Sequence, residues 1–150
     1  MTNTHGHWDQ IAKKWQLVGS PLRPIASDIQ IFHDVVTSYA WGLKRCIDAL
    51  ILGVTPELAR LGWPPGTNLH ALDSSKAMID ALWSGPKDHA HTGSWLDAPF
   101  ADNSFDVIAC DGGFGILDFP RSQNKLLSEV CRLLRPQGVF IVRLFNPGCQ

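Results

Sequence analysis

Apolar residues first recur at helical spacing at Trp8, Ile11, Trp15 and Val18, separated by Asp9, Gln10, Lys13, Lys14 and Gln16, so Trp8 to Val18 reads as a short amphipathic helix. Pro21 and Pro24 stop it, because each fixes φ and biases its predecessor away from the helical region. Ser27 and Gln30 have capping-box spacing, and Ile29, Phe32, Val36 and Tyr39 give a second helix one buried stripe. After Lys44 and Arg45 the pattern changes to an apolar run from Cys46 to Leu52 that ends at Gly53. A short run of this kind suits a strand covered on both faces of a parallel sheet. Thr55 and Pro56 then supply an N-cap and a first helical residue for a short helix ending at Gly62.

The same reading places further strands at Asn68 to Leu72, His91 to Trp95, Phe105 to Cys110 and Val139 to Phe145. Between them lie a helix capped by Ser74 or Ser75 and running through Met78, Ile79 and Leu82, and another from Gln123 to Leu134 that Pro136-Gln137-Gly138 terminates. Strands alternating with helices imply right-handed crossovers and an α/β fold, a doubly wound, mainly parallel sheet of about five strands. Residues 1–45 form a helical N-terminal cap in this scheme, and residues 46–150 the sheet domain.

Composition narrows the partners. The chain has 150 residues, 45% apolar and 18% charged, with a formal net charge of −1. One globular domain of that size buries about two-thirds of its unfolded surface, and a near-neutral balance argues against nucleic-acid binding driven by phosphate electrostatics, which needs a basic face or stripe. Cys46, Cys110, Cys131 and Cys149 are scattered singly and read as reduced thiols. No apolar run reaches membrane-spanning length and the first residues lack a signal pattern, so a cytoplasmic protein is expected.

In an open α/β sheet ligands sit beyond the carboxyl ends of the strands. Gly53 to Glu57, Asp73 to Ser75, Asp97 to Phe100 and Cys110 to Phe114 are therefore the segments where chemistry is expected. Gly53 permits close backbone approach, and Asp73 is placed either to accept ribose hydroxyls or to cap the next helix. His89 and His91, like His5 and His7, read as exposed side chains rather than metal ligands, for no third ligand adjoins them in sequence. Trp41, Trp63, Trp83 and Trp95 read as packing residues. No G-x-S-x-G pattern offers a hydrolase nucleophile.

Two segments carry a resemblance. Trp95 to Ile108, W-L-D-A-P-F-A-D-N-S-F-D-V-I, resembles the D-x-x-x-L-P-F-x-D-x-S-F-D-x-V stretch of class I S-adenosylmethionine-dependent methyltransferases, and Leu127 to Phe140 resembles the same family's L-x-E-x-x-R-x-L-x-P-G-G segment. The resemblance covers roughly Cys46 to Phe145 and implies a cofactor, S-adenosylmethionine, and a methyl acceptor, expected to be a small molecule. It places Gly53, Val54 and Thr55 in the turn beneath the methionine part and ribose, Asp73 on the ribose hydroxyls, and Ser74 and Met78 beside the adenine. It further implies that Asp97 takes the adenine amino group and the Ala98 N–H a ring nitrogen, that Cys110 and Asp111 lie beneath the sulfonium, and that Trp15 and Arg23 close over the cofactor with Arg23 on its carboxylate. Asp111 is the candidate base for an acceptor that must lose a proton.

The family's turn is commonly G-x-G-x-G after an acidic residue, whereas Ile51 replaces the acid here and only Gly53 remains of the glycines; a Thr55 hydroxyl contact is expected to compensate. Family sheets usually have seven strands, so the resemblance implies an open edge along Val139 to Phe145, to be covered by a second copy, a partner or further chain beyond Gln150. A non-catalytic methyltransferase-like subunit is the alternative reading. A nicotinamide-dependent oxidoreductase is disfavoured because G-x-G-x-x-G is absent.

Overall fold

The computed structural model describes residues 4–145, which leaves Cys149 and the tail after Phe145 outside it, together with the His5 side chain. Strands β1 (Asp48–Leu52), β2 (Asn68–Asp73), β3 (Ala90–Thr92), β4 (Phe105–Asp111) and β5 (Leu134–Arg143) form one sheet in the order β3-β2-β1-β4-β5. Every pairing is parallel. The order reverses between β1 and β4, which opens a crevice at their carboxyl ends.

The apolar runs are continuous because each central strand feeds two cores. Ala49 and Ile51 of β1 and Val107 and Ala109 of β4 point to one face, where they meet Phe32 and Val36 of α2 (Ala26–Trp41), Leu58 of α3 (Pro56–Ala59) and Met78 of α4 (Lys76–Leu82). Leu50, Leu52, Ile108 and Cys110 point to the other, against Leu126, Val130 and Leu133 of α5 (Arg121–Leu133). Trp8 and Ile11 of α1 (Thr4–Lys13) join the first core, with α1 packed against α4. Asp9 Oδ1 also accepts the Ser75 hydroxyl at 3.0 Å, tying α1 to the start of α4.

Several element boundaries differ from the sequence expectation: β1 starts at Asp48 instead of Cys46, β3 runs Ala90–Thr92 instead of His91 to Trp95, and β5 ends at Arg143 instead of Phe145. The first helix ends at Lys13 and Trp15–Leu17 forms a separate 3₁₀ turn. The second is capped at Ile25, not Ser27: the Ile25 N–H donates to Asp28 Oδ2 at 3.0 Å. Pro136-Gln137-Gly138 does not separate helix from strand. Helix α5 passes straight into β5 at Leu134, which pairs with Phe105, and residues 135–138 form a bulge with Gln137 at φ 66° before Val139 pairs with Val107.

At the opposite end of the sheet from the crevice, fully buried Asp106 anchors the strands. It accepts both Arg45 terminal nitrogens at 2.8 and 2.6 Å, the Asp48 N–H at 2.9 Å and Arg135 at 2.9 Å. Burial alone would raise its pKa, but these donors and charges outweigh it and hold the carboxyl below its ordinary range.

His89 and His91, expected from the sequence as exposed side chains, are instead half-buried and cluster with His70. His70 on β2 and His91 on the adjacent β3 place His70 Nδ1 and His91 Nε2 3.0 Å apart, and His89 stacks on His70 at 4.3 Å between centroids. Among the described residues no metal-binding group forms. Burial first, then the neighbouring imidazoles, lowers the pKa of both His70 and His91, against the weaker opposing pull of Asp88. Asp48 opposes the shift at His70 as well. A histidine whose folded pKa lies below its ordinary 6.5 stabilises the fold above that value and loses the contribution as pH falls through the folded pKa. The melting temperature is therefore expected to drop between pH 7 and pH 5, and His70→Asn to flatten that slope in a calorimetric pH series.

Candidate functional site

The crevice is a cavity of about 320 Å³, within the range of small-molecule sites. Its floor comes from the first residues after β1, β2 and β4, and its roof from α1 and the segment that follows it. Of the expected residues, Trp15, Gly53, Val54, Thr55, Asp73, Ser74, Met78 and Asp111 line this one space.

Gly53 has φ +103°, a conformation that L side chains rarely adopt, and its N–H donates to Leu72 O at 2.8 Å. The turn is thereby bent toward β2, and a Cβ at Gly53 would lie 3.9 Å from Asp73 Oδ2. The other Asp73 oxygen accepts the Ser75 N–H at 2.8 Å. Asp73 thus keeps a carboxylate oxygen facing the turn, and burial pushes its pKa above the ordinary carboxylate value despite the Ser75 bond. The cap of α4 is instead Ser75, whose Oγ accepts the Met78 N–H at 3.2 Å.

Asp111 ends β4 in the cavity wall. Arg143, its partner across the β4–β5 pairing, donates Nε to Asp111 Oδ1. The same guanidinium reaches Pro21 O at 2.9 Å and lies 3.7 Å from Asp28, so it fastens the cap to the sheet. Burial raises the Asp111 pKa, and Arg143 offsets part of that rise.

Four expected residues are not brought to the cavity. Arg23 donates Nε to Glu57 Oε1 at 2.7 Å and lies 5.3 Å over the Trp15 ring, so its charge is already met by a carboxylate of this chain. Cys110 is fully buried in the second core, and desolvation pushes its thiol up to about 12. Asp97 is exposed, outside the cavity lining. The Ala98 N–H is taken by Glu129 Oε2 at 2.9 Å, while Arg132 grips Ala98 O at 3.1 Å and Phe100 O at 2.7 Å. The E-x-x-R pair of α5 is thus a clamp on the loop before β4.

Ser94, Trp95 and Leu96 take the lining position in place of Asp97 and Ala98. Trp95, expected as a packing residue, does lie with its indole against Gly53 and Gly113, where a Gly113 Cβ would come within 2.4 Å of it. Its Nε1 donates to Leu72 O at 2.7 Å. The glycine pair at 112–113 that follows Asp111 is the signal that a ring must fit there.

Trp15 Nε1, in the cavity wall, is buried without a hydrogen-bond partner among the described residues. A buried donor of this kind costs about 1–3 kcal/mol until something accepts from it. Together with the free side of Asp73 and the tight Gly53 turn, it fits a ligand carrying hydroxyls and acceptor atoms, as a nucleoside does.

A family model described as "Methyltransferase domain" matches residues 53–142. Solved structures with the same fold include a protein of Galdieria sulphuraria whose name refers to sarcosine dimethylglycine methyltransferase, 24% identical, TM-score 0.58, covering 75% of this chain and 43% of that one. The YcgJ protein of Bacillus subtilis is 21% identical, with TM-score 0.59 and coverages of 76% and 48%. The 4+2 cyclase SpnF is 14% identical, with TM-score 0.64 and coverages of 93% and 58%. The chain thus spans about half the length of these structures. No curated protein matches the sequence.

Proposed function

The chain belongs to the methyltransferase-domain family, and from that premise we propose that it binds S-adenosylmethionine in the crevice and directs its methyl group to a small-molecule acceptor. The observation that carries this reading is the convergence of the positive-φ Gly53 turn and the Asp73 carboxylate on one cavity at the switch point of the sheet. When bound, the cofactor supplies an electrophilic methyl carbon: an acceptor lone pair bonds to it while the methyl–sulfur bonding pair stays on sulfur.

The protein's own contribution is position. Asp73 would hold the ribose hydroxyls, the Gly53 turn would admit the chain beside them, and Ser74, Met78 and Trp95 would border the base. Thr55, whose side chain makes no capping bond to α3, lines the same space and stands in for the glycine usual there. Arg23, paired with Glu57, stacks on Trp15 of the roof. Asp111, raised by burial and oriented by Arg143, would receive the proton of an acceptor that has to lose one.

Calorimetric titration tests the reading: S-adenosylmethionine and S-adenosylhomocysteine are both expected to bind, and failure of both at millimolar concentration would remove it. A binding subunit without turnover is the second reading, favoured by the Arg143–Asp111 ion pair that restrains the one candidate base. Methyl transfer to any acceptor would eliminate it.

A further inference from the structure

We infer that the methyl acceptor is an uncharged, largely apolar small molecule with a neutral nucleophile such as a phenol; this rests on the cofactor reading above. Beyond the Gly53–Asp73 end, the cavity continues between Val18 and Leu22 of the roof, Ile116 and Leu117 after β4, and Phe145 after β5. Leu17 is 84% exposed and Phe119 81% exposed, on the segments that supply these lining residues. Aliphatic and aromatic side chains from three separate segments thus converge on one mouth, and scattered surface residues have no such common focus.

Charge points the same way. Among the described lining residues there is no lysine, arginine or histidine, and the only ionisable groups are Asp73 and Asp111. Two guanidiniums lie against lining residues: Arg143, 4.9 Å from the Phe145 ring, is committed to Asp111, Pro21 O and Asp28, and Arg23, 5.3 Å over the Trp15 ring, is committed to Glu57. An acceptor bearing carboxylate or phosphate would be desolvated beside the Asp73 carboxylate with no free cation among the described lining residues to meet it. An ammonium group would find the Asp111 charge already compensated, and its protonated nitrogen has no lone pair to receive a methyl group. A neutral hydroxyl on an apolar frame meets neither penalty: the frame is buried by the mouth, and the hydroxyl is left at Asp111.

The test is calorimetry on the chain saturated with S-adenosylhomocysteine, using 4-heptylphenol and 4-heptylbenzoate as probes matched in shape. The phenol is expected to bind at least about tenfold more tightly than the benzoate. Leu22→Lys, at a half-exposed roof position, is expected to weaken the phenol and strengthen the benzoate. Equal or tighter benzoate binding to the unaltered chain, or no phenol binding to a protein that does take S-adenosylhomocysteine, would overturn the acceptor class and leave the cofactor reading standing. Absence of S-adenosylhomocysteine binding would overturn both.

Discussion

Asp73→Asn is expected to weaken S-adenosylmethionine binding by about 100-fold, the equivalent of two hydrogen bonds to a charged group, while leaving the melting temperature equal or higher. The two effects separate because they have different origins. Affinity depends on an ionised carboxylate with an oxygen facing the Gly53 turn. Stability at neutral pH is lowered by that same charge, since burial raises the Asp73 pKa above the ordinary 3.8. A carboxyl whose folded pKa exceeds its unfolded value destabilises the fold above the folded pKa and ceases to do so as it protonates on acidification. The asparagine amide keeps an acceptor for the Ser75 N–H and removes the charge. Thermal scans of the two proteins should therefore diverge at pH 7 and converge toward acid, and a marked loss of stability at pH 7 would show that Asp73 is a structural residue. Many binding sites store strain of this kind, at some cost to the fold.

Asp106→Ala is expected to have the largest effect on stability, about 3 kcal/mol by denaturant titration. Removing one partner of a buried ion pair leaves the other uncompensated, which typically costs about 3–5 kcal/mol, and the lower end applies here because Arg45 and Arg135 reach partly into solvent. The Asp48 N–H at the start of β1 also loses its acceptor. Arg135 bridges Asp106 to Asp48, so the loss would loosen β1, β4 and the entry to β5 together. A change below 1 kcal/mol would mean that surrounding water replaces the network, contrary to the full burial of Asp106.

The parallel sheet was legible in the sequence because its central strands are buried on both faces. Ala49 and Ile51 go to one core and Leu50 and Leu52 to the other, and that arrangement leaves an uninterrupted apolar run. The Gly53 turn and Asp73 were legible for a related reason: each follows such a run directly and must lie at its carboxyl end. What could not be read depends on partners far away in sequence. Asp97 and Ala98 lose their expected place because Ser94 bridges back to Asp97 and Glu129, 31 residues on, captures the Ala98 N–H. Arg23 is diverted by Glu57, 34 residues away, which stands where the family's turn commonly has glycine. The β5 bulge exists because Leu134 and Val139 must both register against β4, and the Pro136-Gln137-Gly138 signal by itself reads equally well as a turn between elements.

The His70–His91 contact has the same character. Two residues with no local signal become neighbours only when β2 and β3 pair. Trp95 was visible as a large apolar residue, but its position across the crevice floor follows from Gly53 and Gly113 approaching it from the turns after two different strands.

The most direct test is a crystal structure of this chain with S-adenosylhomocysteine. The account predicts the ribose hydroxyls on Asp73, the base bordered by Ser74, Met78 and Trp95, and an acceptor atom of the ligand within hydrogen-bond distance of Trp15 Nε1. Ligand bound elsewhere, or a ribose that leaves Asp73 without a contact, would contradict it.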